Sequence, residues 1–103
     1  MVGRGELWWY EHPDAGRRPF LVLTRTEAIV VLNQILAVPA TRTVRGIPTE
    51  VPLDTDDGAP EPCVLAVDNL SLIRPRLCTI LIARLSAEKL RAVCVTLGHA
   101  TGC

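Results

Sequence analysis

Five arginines fall between residues 13 and 49, and arginine is the side chain best shaped to hold a phosphate: Arg17, Arg18, Arg25, Arg42 and Arg45 stand there against only Asp14 and Glu27. A guanidinium offers two parallel N–H bonds where an ammonium acts as a point charge. Residues 50 to 68 reverse the sign, with Glu50, Asp54, Asp56, Asp57, Glu61 and Asp68 and no base. A cationic face beside an acidic loop follows from this distribution. The formal net charge is nevertheless zero, whereas a nucleic-acid ligand usually announces itself through a basic balance. Lys89 is the lone lysine, a bias that a GC-rich genome would produce equally well. His12 adds a group that titrates near neutrality. Taken singly, Arg18 reads as a solvated strand-end charge, Thr41 as a turn residue, Asp68 as a strand-end carboxylate and His12 as a surface histidine.

Cysteine chemistry is poorly supported. Cys63, Cys78, Cys94 and Cys103 are even in number, but none forms a Cys-x-x-Cys pair and the spacings fit neither a zinc nor a disulfide framework. They read as reduced thiols, each packing as a small buried hydrophobe. No apolar run reaches the ~20 residues of a membrane span, and the Met1-Val2-Gly3-Arg4-Gly5-Glu6 start lacks a signal peptide's apolar stretch. A cytoplasmic protein is expected.

The elements that must position these groups are short strands. With 103 residues, of which 49% are hydrophobic and only 4% aromatic, the chain suits one domain, 1–103, whose core is built from Val, Leu, Ile and Ala. Glu6 to Tyr10 reads as a first strand, stopped by the Pro13, Asp14 and Gly16 cluster. Pro19 opens a central strand, Phe20 to Leu23. One helical turn over Thr26 to Ile29 is followed by a third strand from Gln34 to Ala40. Thr49 to Leu53 alternates like an edge strand, and Asp54 to Pro62 is loop. Cys63 to Val67 is a buried strand that delivers Asp68 and Asn69 at its end. Cys78 to Ala83 lacks alternation, so it is expected to pack on both sides, one of them against a second subunit. Ser86 caps a helix with Leu90, Val93, Cys94 and Leu97 on one face, ended by Gly98. Many short strands and one closing helix indicate a mainly β fold, a small antiparallel barrel with a C-terminal helix.

Read in order, Arg4-Gly5-Glu6-Leu7-Trp8, Gly16-Arg17-Arg18-Pro19-Phe20, Val38-Pro39-Ala40-Thr41-Arg42, Arg45-Gly46-Ile47-Pro48-Thr49-Glu50-Val51, Asp68-Asn69 and Arg84-Leu85-Ser86 resemble the MazF/PemK toxin family. The segments span nearly the whole chain. The resemblance implies a Src-homology-3-like barrel, a homodimer, a cognate antitoxin, and sequence-selective, metal-independent, cofactor-free cleavage of single-stranded RNA by attack of the 2′-OH on the adjacent phosphorus. Such cleavage needs a base, donors for the phosphoryl charge and an acid for the departing 5′-oxygen.

By the same resemblance Arg18 and Thr41 are the catalytic pair. The family's Arg is often given an acid–base role, but a pKa above ~12 makes a charge clamp the easier reading for Arg18. Arg17, Arg42, Arg45, Asp68, Asn69 and His12 are expected to bind RNA, with Asp68 orienting Arg18 or holding a nucleotide edge. Any of Trp8, Trp9 and Tyr10 that faces the groove would add base stacking, although strand alternation must bury at least one. Three departures stand out. The family's Gly-Ser-Glu-Gln loop is absent, Asn69 replaces a Gln, and Ser71 replaces an Arg, so RNA selectivity does not transfer. The alternatives are a non-catalytic gyrase poison resembling CcdB, on a similar barrel, and an inactive module that only binds an antitoxin.

Overall fold

Seven strands and a closing helix make up the structure, a computed structural model that describes residues 1–102; Cys103, expected above to be a reduced thiol, lies outside the described residues. Strand β1 (Glu6–His12) and strand β2 (Gly16–Val22) form a hairpin paired without interruption from Leu7↔Leu21 to His12↔Gly16. Its three-residue loop closes at Gly16, whose φ of 79° is the left-handed turn that glycine adopts freely. Here the structure corrects the expected strand start at Pro19. Because β1 offers a ladder partner as far as His12, Arg17 and Arg18 are drawn into the strand rather than left in a loop.

Helix α1 (Thr26–Ile29) leads to β3 (Ile35–Thr41), followed by β4 (Glu50–Leu53), β5 (Cys63–Ala66), β6 (Ser71–Ile73) and β7 (Cys78–Arg84). All pairings are antiparallel, in the order β4-β5-β3-β2-β1-β7, with β6 also on β3. At three residues, β6 is too short to show periodicity, and the sequence reading missed it. Helix α2 (Ala87–Thr101) is capped by Ser86, whose Oγ accepts from the Lys89 amide at 3.1 Å. It runs through Gly98, expected to end it, and stops at Gly102, which takes the left-handed cap with φ 75°. Val93 is wholly buried, and Leu90, Leu97 and Ala100 pack on the same cluster, so tertiary burial carries the helix past a weak residue.

The β1–β2–β3 sheet is covered on both faces. Leu7, Leu21, Val38 and Leu65 join Val93 of α2 in the barrel interior, while Tyr10, Phe20, Val22, Ile35 and Ile73 form a second cluster on the other face. This explains the unbroken apolar run at Phe20–Leu23. Strand β7 pairs only with β1; its Cys78 packs on the outer cluster and its Ile82 on the interior one, while Ile80 is 52% exposed. Cys63 and Cys78 are partly buried, but Cys94 is exposed and accepts from Arg4 at 3.3 Å, contrary to its expected burial. The Arg-Gly-Glu segment proves structural. The Glu6 carboxylate, 8% exposed as a residue, accepts from the Gly3 amide (2.6 Å), the Trp8 indole (3.0 Å) and Arg84 (3.0 Å). A carboxylate taken from water needs such a full set of donors.

Candidate active site

The β2–β3 ladder stops short of the strand ends and leaves a groove in which four of the eight singled-out residues, Arg17, Arg18, Thr41 and Arg42, meet. Strands β2 and β3 pair from Val22↔Ala37 to Phe20↔Pro39 and no further, while the opposite edge of β3 stays paired at Ala40 and Thr41 with Leu65 and Val64 of β5. The end of the hairpin and the end of β3 are thus left side by side without a hydrogen-bonded ladder. Between them lies a groove of about 600 Å³, lined by Trp9, Arg17, Arg18, Thr41, Arg42 and Glu61, among others.

Strand alternation sorts these residues into two walls. Arg18 shares its face of β2 with Phe20 and Val22, and Thr41 shares its face of β3 with Ile35 and Ala37; all four neighbours belong to the outer cluster. Past the Phe20↔Pro39 pair that ends the β2–β3 ladder, Arg18 and Thr41 both line the groove. Arg17, Trp9, Ala40 and Cys63 come from the barrel-interior face, the one that carries Leu7, Leu21, Val38 and Leu65. Arg42 and Glu61 lie just beyond the strand ends.

The groove's cations differ in what already holds them. Arg17 pairs with Glu11 at 3.3 Å and lies 4.5 Å over the Trp9 ring, a cation–π contact. Arg42 meets Glu61 at 3.1 Å. Arg18 has no carboxylate partner among the described residues, so its fork is free for an incoming anion. The Thr41 Oγ1 accepts from the Thr43 amide at 3.1 Å, which leaves its own O–H to donate. Cys63, on the floor, is a poor nucleophile: burial, then the negative charges of Glu61 and Asp57, push its thiol pKa up.

Other expected residues lie outside the groove lining. Arg45 is tied to Glu50, its amide at 3.0 Å and its Nε at 3.5 Å. Burial alone would raise the Glu50 pKa, but amide donors from Arg45 and Gly46, the Arg45 guanidinium and the Ile47 amide outweigh it and hold it below the usual range. Asp68 accepts from the Thr49 hydroxyl and does not orient Arg18. Asn69 ends a single 3-10 turn, Val67–Asn69, and is exposed. His12 caps the hairpin loop, its Nδ1 accepting from the Asp14 and Ala15 amides at 3.0 Å each. Of the three aromatics weighed for stacking, Trp9 alone lines the groove; Tyr10 is buried and Trp8 packs on the outer cluster. Sequence reasoning missed Glu61. Its Pro-Glu-Pro setting signals a loop and says nothing about where that loop folds.

Comparison with known proteins gives consistent matches. Residues 3–100 match the family model described as PemK-like, MazF-like toxin of type II toxin-antitoxin system. The probable endoribonuclease MazF5 of Mycobacterium tuberculosis is 36% identical over 104 residues, covering 100% of this chain and 95% of that protein. Among solved structures, the Mycobacterium tuberculosis toxin MazF-mt6 superposes with a TM-score of 0.85 at 31% identity, covering 94% of this chain and 96% of the other. A MazE-MazF structure from Deinococcus radiodurans gives 0.83 at 30% identity, with coverage of 99% and 96%.

Proposed function

The chain belongs to the PemK-like, MazF-like toxins of type II toxin-antitoxin systems, and from that premise we propose that it is a metal-independent endoribonuclease acting on single-stranded RNA. The observation that supports this reading is that Arg18 and Thr41 both line one open groove, with no carboxylate on the Arg18 fork among the described residues. There the guanidinium clamps the scissile phosphate and the Thr41 hydroxyl donates to the same group. Both stabilise charge that grows as the 2′-oxygen attacks phosphorus and the 5′-oxygen departs. Arg17 and Arg42 extend the cationic path for neighbouring phosphates. A non-catalytic gyrase poison has no use for such a phosphate-clamping wall.

The protein acts in the cytoplasm as a homodimer restrained by a cognate antitoxin, whose expected form is an acidic, partly disordered segment that competes for the groove. Two exposed apolar surfaces support protein partners: Ile80 on β7, the expected dimer strand, and a group comprising Val30, Val31, Leu32, Leu36 and Leu72, in which Leu36 and Leu72 are cross-strand neighbours. No helix of the described residues is long and apolar enough to cross a membrane.

The test is incubation of purified protein with single-stranded RNA in EDTA, followed by identification of the product ends. A 5′-hydroxyl and a cyclic or 3′-phosphate are expected; intact RNA would overturn the reading. Arg18→Ala is expected to lower kcat by roughly 100-fold or more, the cost of losing one preorganised charge donor. Its circular dichroism and dimerisation should match the parent.

A further inference from the structure

Two of the groove's three arginines already carry a carboxylate of their own chain. Arg17 Nε lies 3.3 Å from Glu11 Oε2, and Arg42 Nε lies 3.1 Å from Glu61 Oε1, whereas Arg18 has no carboxylate partner among the described residues. Carboxylate and phosphate oxygens accept from the same N–H donors. In both pairs the carboxylate takes the Nε edge, so a phosphate reaches that edge only by displacing it. All four side chains are about half exposed or more, which keeps each pair weak and exchangeable. The displaced group cannot diffuse away. Glu11 is the cross-strand neighbour of Arg17 and also accepts from Thr79 Oγ1 at 3.4 Å, and Glu61 stands in the loop before β5. Each stays beside its arginine and competes for it continuously.

Resting on the nuclease reading, we infer that Glu11 and Glu61 are built-in competitors for the RNA backbone, which hold down the affinity of the groove's flanks and recapture Arg17 and Arg42 from the cleaved strand. An intact strand anchored by one phosphate on Arg18 presents its neighbouring phosphates to the flanks at the high effective concentration of a short linker, and so displaces both carboxylates. Cleavage cuts that linker. Each fragment then holds its flank alone, against a carboxylate that is still tethered. Binding that is equally strong before and after the chemical step adds nothing to its rate, so weakening it at the flanks spares the chemistry and frees the product. Arg18, which faces the growing phosphoryl charge, has no such competitor.

The test measures binding of a labelled 2′-O-methyl RNA by fluorescence anisotropy for the parent, Glu11→Gln, Glu61→Gln and the double variant, at low and at high salt. Glu27→Gln is the control, because it removes the same charge from α1, beyond the far end of β2 and outside the groove lining. Each single substitution in a pair is expected to tighten binding about threefold and the double variant about tenfold, the scale of exposed ion pairs, with the gain shrinking at high salt. Glu27→Gln should bind like the parent. In cleavage assays KM should fall with the dissociation constant, and added cleavage products should inhibit each single variant about threefold more strongly than the parent. A merely structural role for the two pairs would lower the melting temperature and weaken binding. Equal or weaker RNA binding by the double variant, or the same gain in Glu27→Gln, would overturn this inference and leave the nuclease intact. A parent that neither binds nor cuts RNA would overturn both.

Discussion

Thr41 is useful because its hydroxyl is already half engaged. One lone pair of Oγ1 accepts the Thr43 amide, which orients the oxygen and leaves the proton for an external acceptor. Thr41→Val removes that donor and the turn bond while keeping the shape. It is expected to reduce kcat by about tenfold, near the value of one hydrogen bond to a charged group, whereas Thr41→Ser should retain most activity. Steady-state cleavage of a labelled oligonucleotide distinguishes the two; equal loss in both variants would point to packing rather than donation. Residue roles of this kind were legible in the sequence only through family resemblance. Taken alone, Arg18 and Thr41 are a strand-end charge and a turn residue, and nothing in their spacing shows that both line one groove.

At the scale of elements, the loop between β3 and β4 is fastened by Glu50. Its carboxylate gathers the Arg45 and Gly46 amides at 3.0 and 2.9 Å, together with the Arg45 guanidinium. With its folded pKa depressed, Glu50 stabilises the fold above the ordinary glutamate value of about 4.3, and that contribution is lost as pH falls through the lowered value. Glu50→Gln is therefore expected to lower the urea midpoint at neutral pH, with the gap to the parent closing in strong acid. Urea titrations at the two extremes check this, and a gap independent of pH would exclude the linkage. The Arg-Gly-Ile-Pro-Thr-Glu-Val block thus acts as a self-bracing turn, which explains why Arg45 does not reach the groove. Strand identities were largely legible from apolar runs and turn residues. The β2 start and the α2 end were not, because ladder partners and helix burial, invisible along the chain, overrode the local signals at Arg17, Arg18 and Gly98.

Over the whole molecule, charge is balanced but unevenly placed. The net value of zero hides a groove with three arginines, Arg17, Arg18 and Arg42. Binding of single-stranded RNA should therefore weaken with salt even without a basic balance. If each of the three arginines meets one phosphate, the slope of log affinity against log salt is expected to be about −2, at roughly 0.7 per contact. Fluorescence anisotropy with a 2′-O-methyl RNA over a salt series measures it, and a slope near zero would remove phosphate contacts as the source of affinity.

Barrel closure is where distant parts of the molecule come into register. Strands β4 and β7 end the sheet without pairing to each other, and the segment after β4 crosses the gap instead. That segment is wound by a capping box between Asp54 and Asp57 and turns at Gly58, whose φ of 93° and close approach to Ala83 leave no room for a side chain. A Cβ there would lie 2.6 Å from that of Ala83. The chain then reaches Glu61 in three residues. A side chain at position 58 would therefore push this segment away from β7, and the segment so displaced is the one that carries Glu61 into the groove lining.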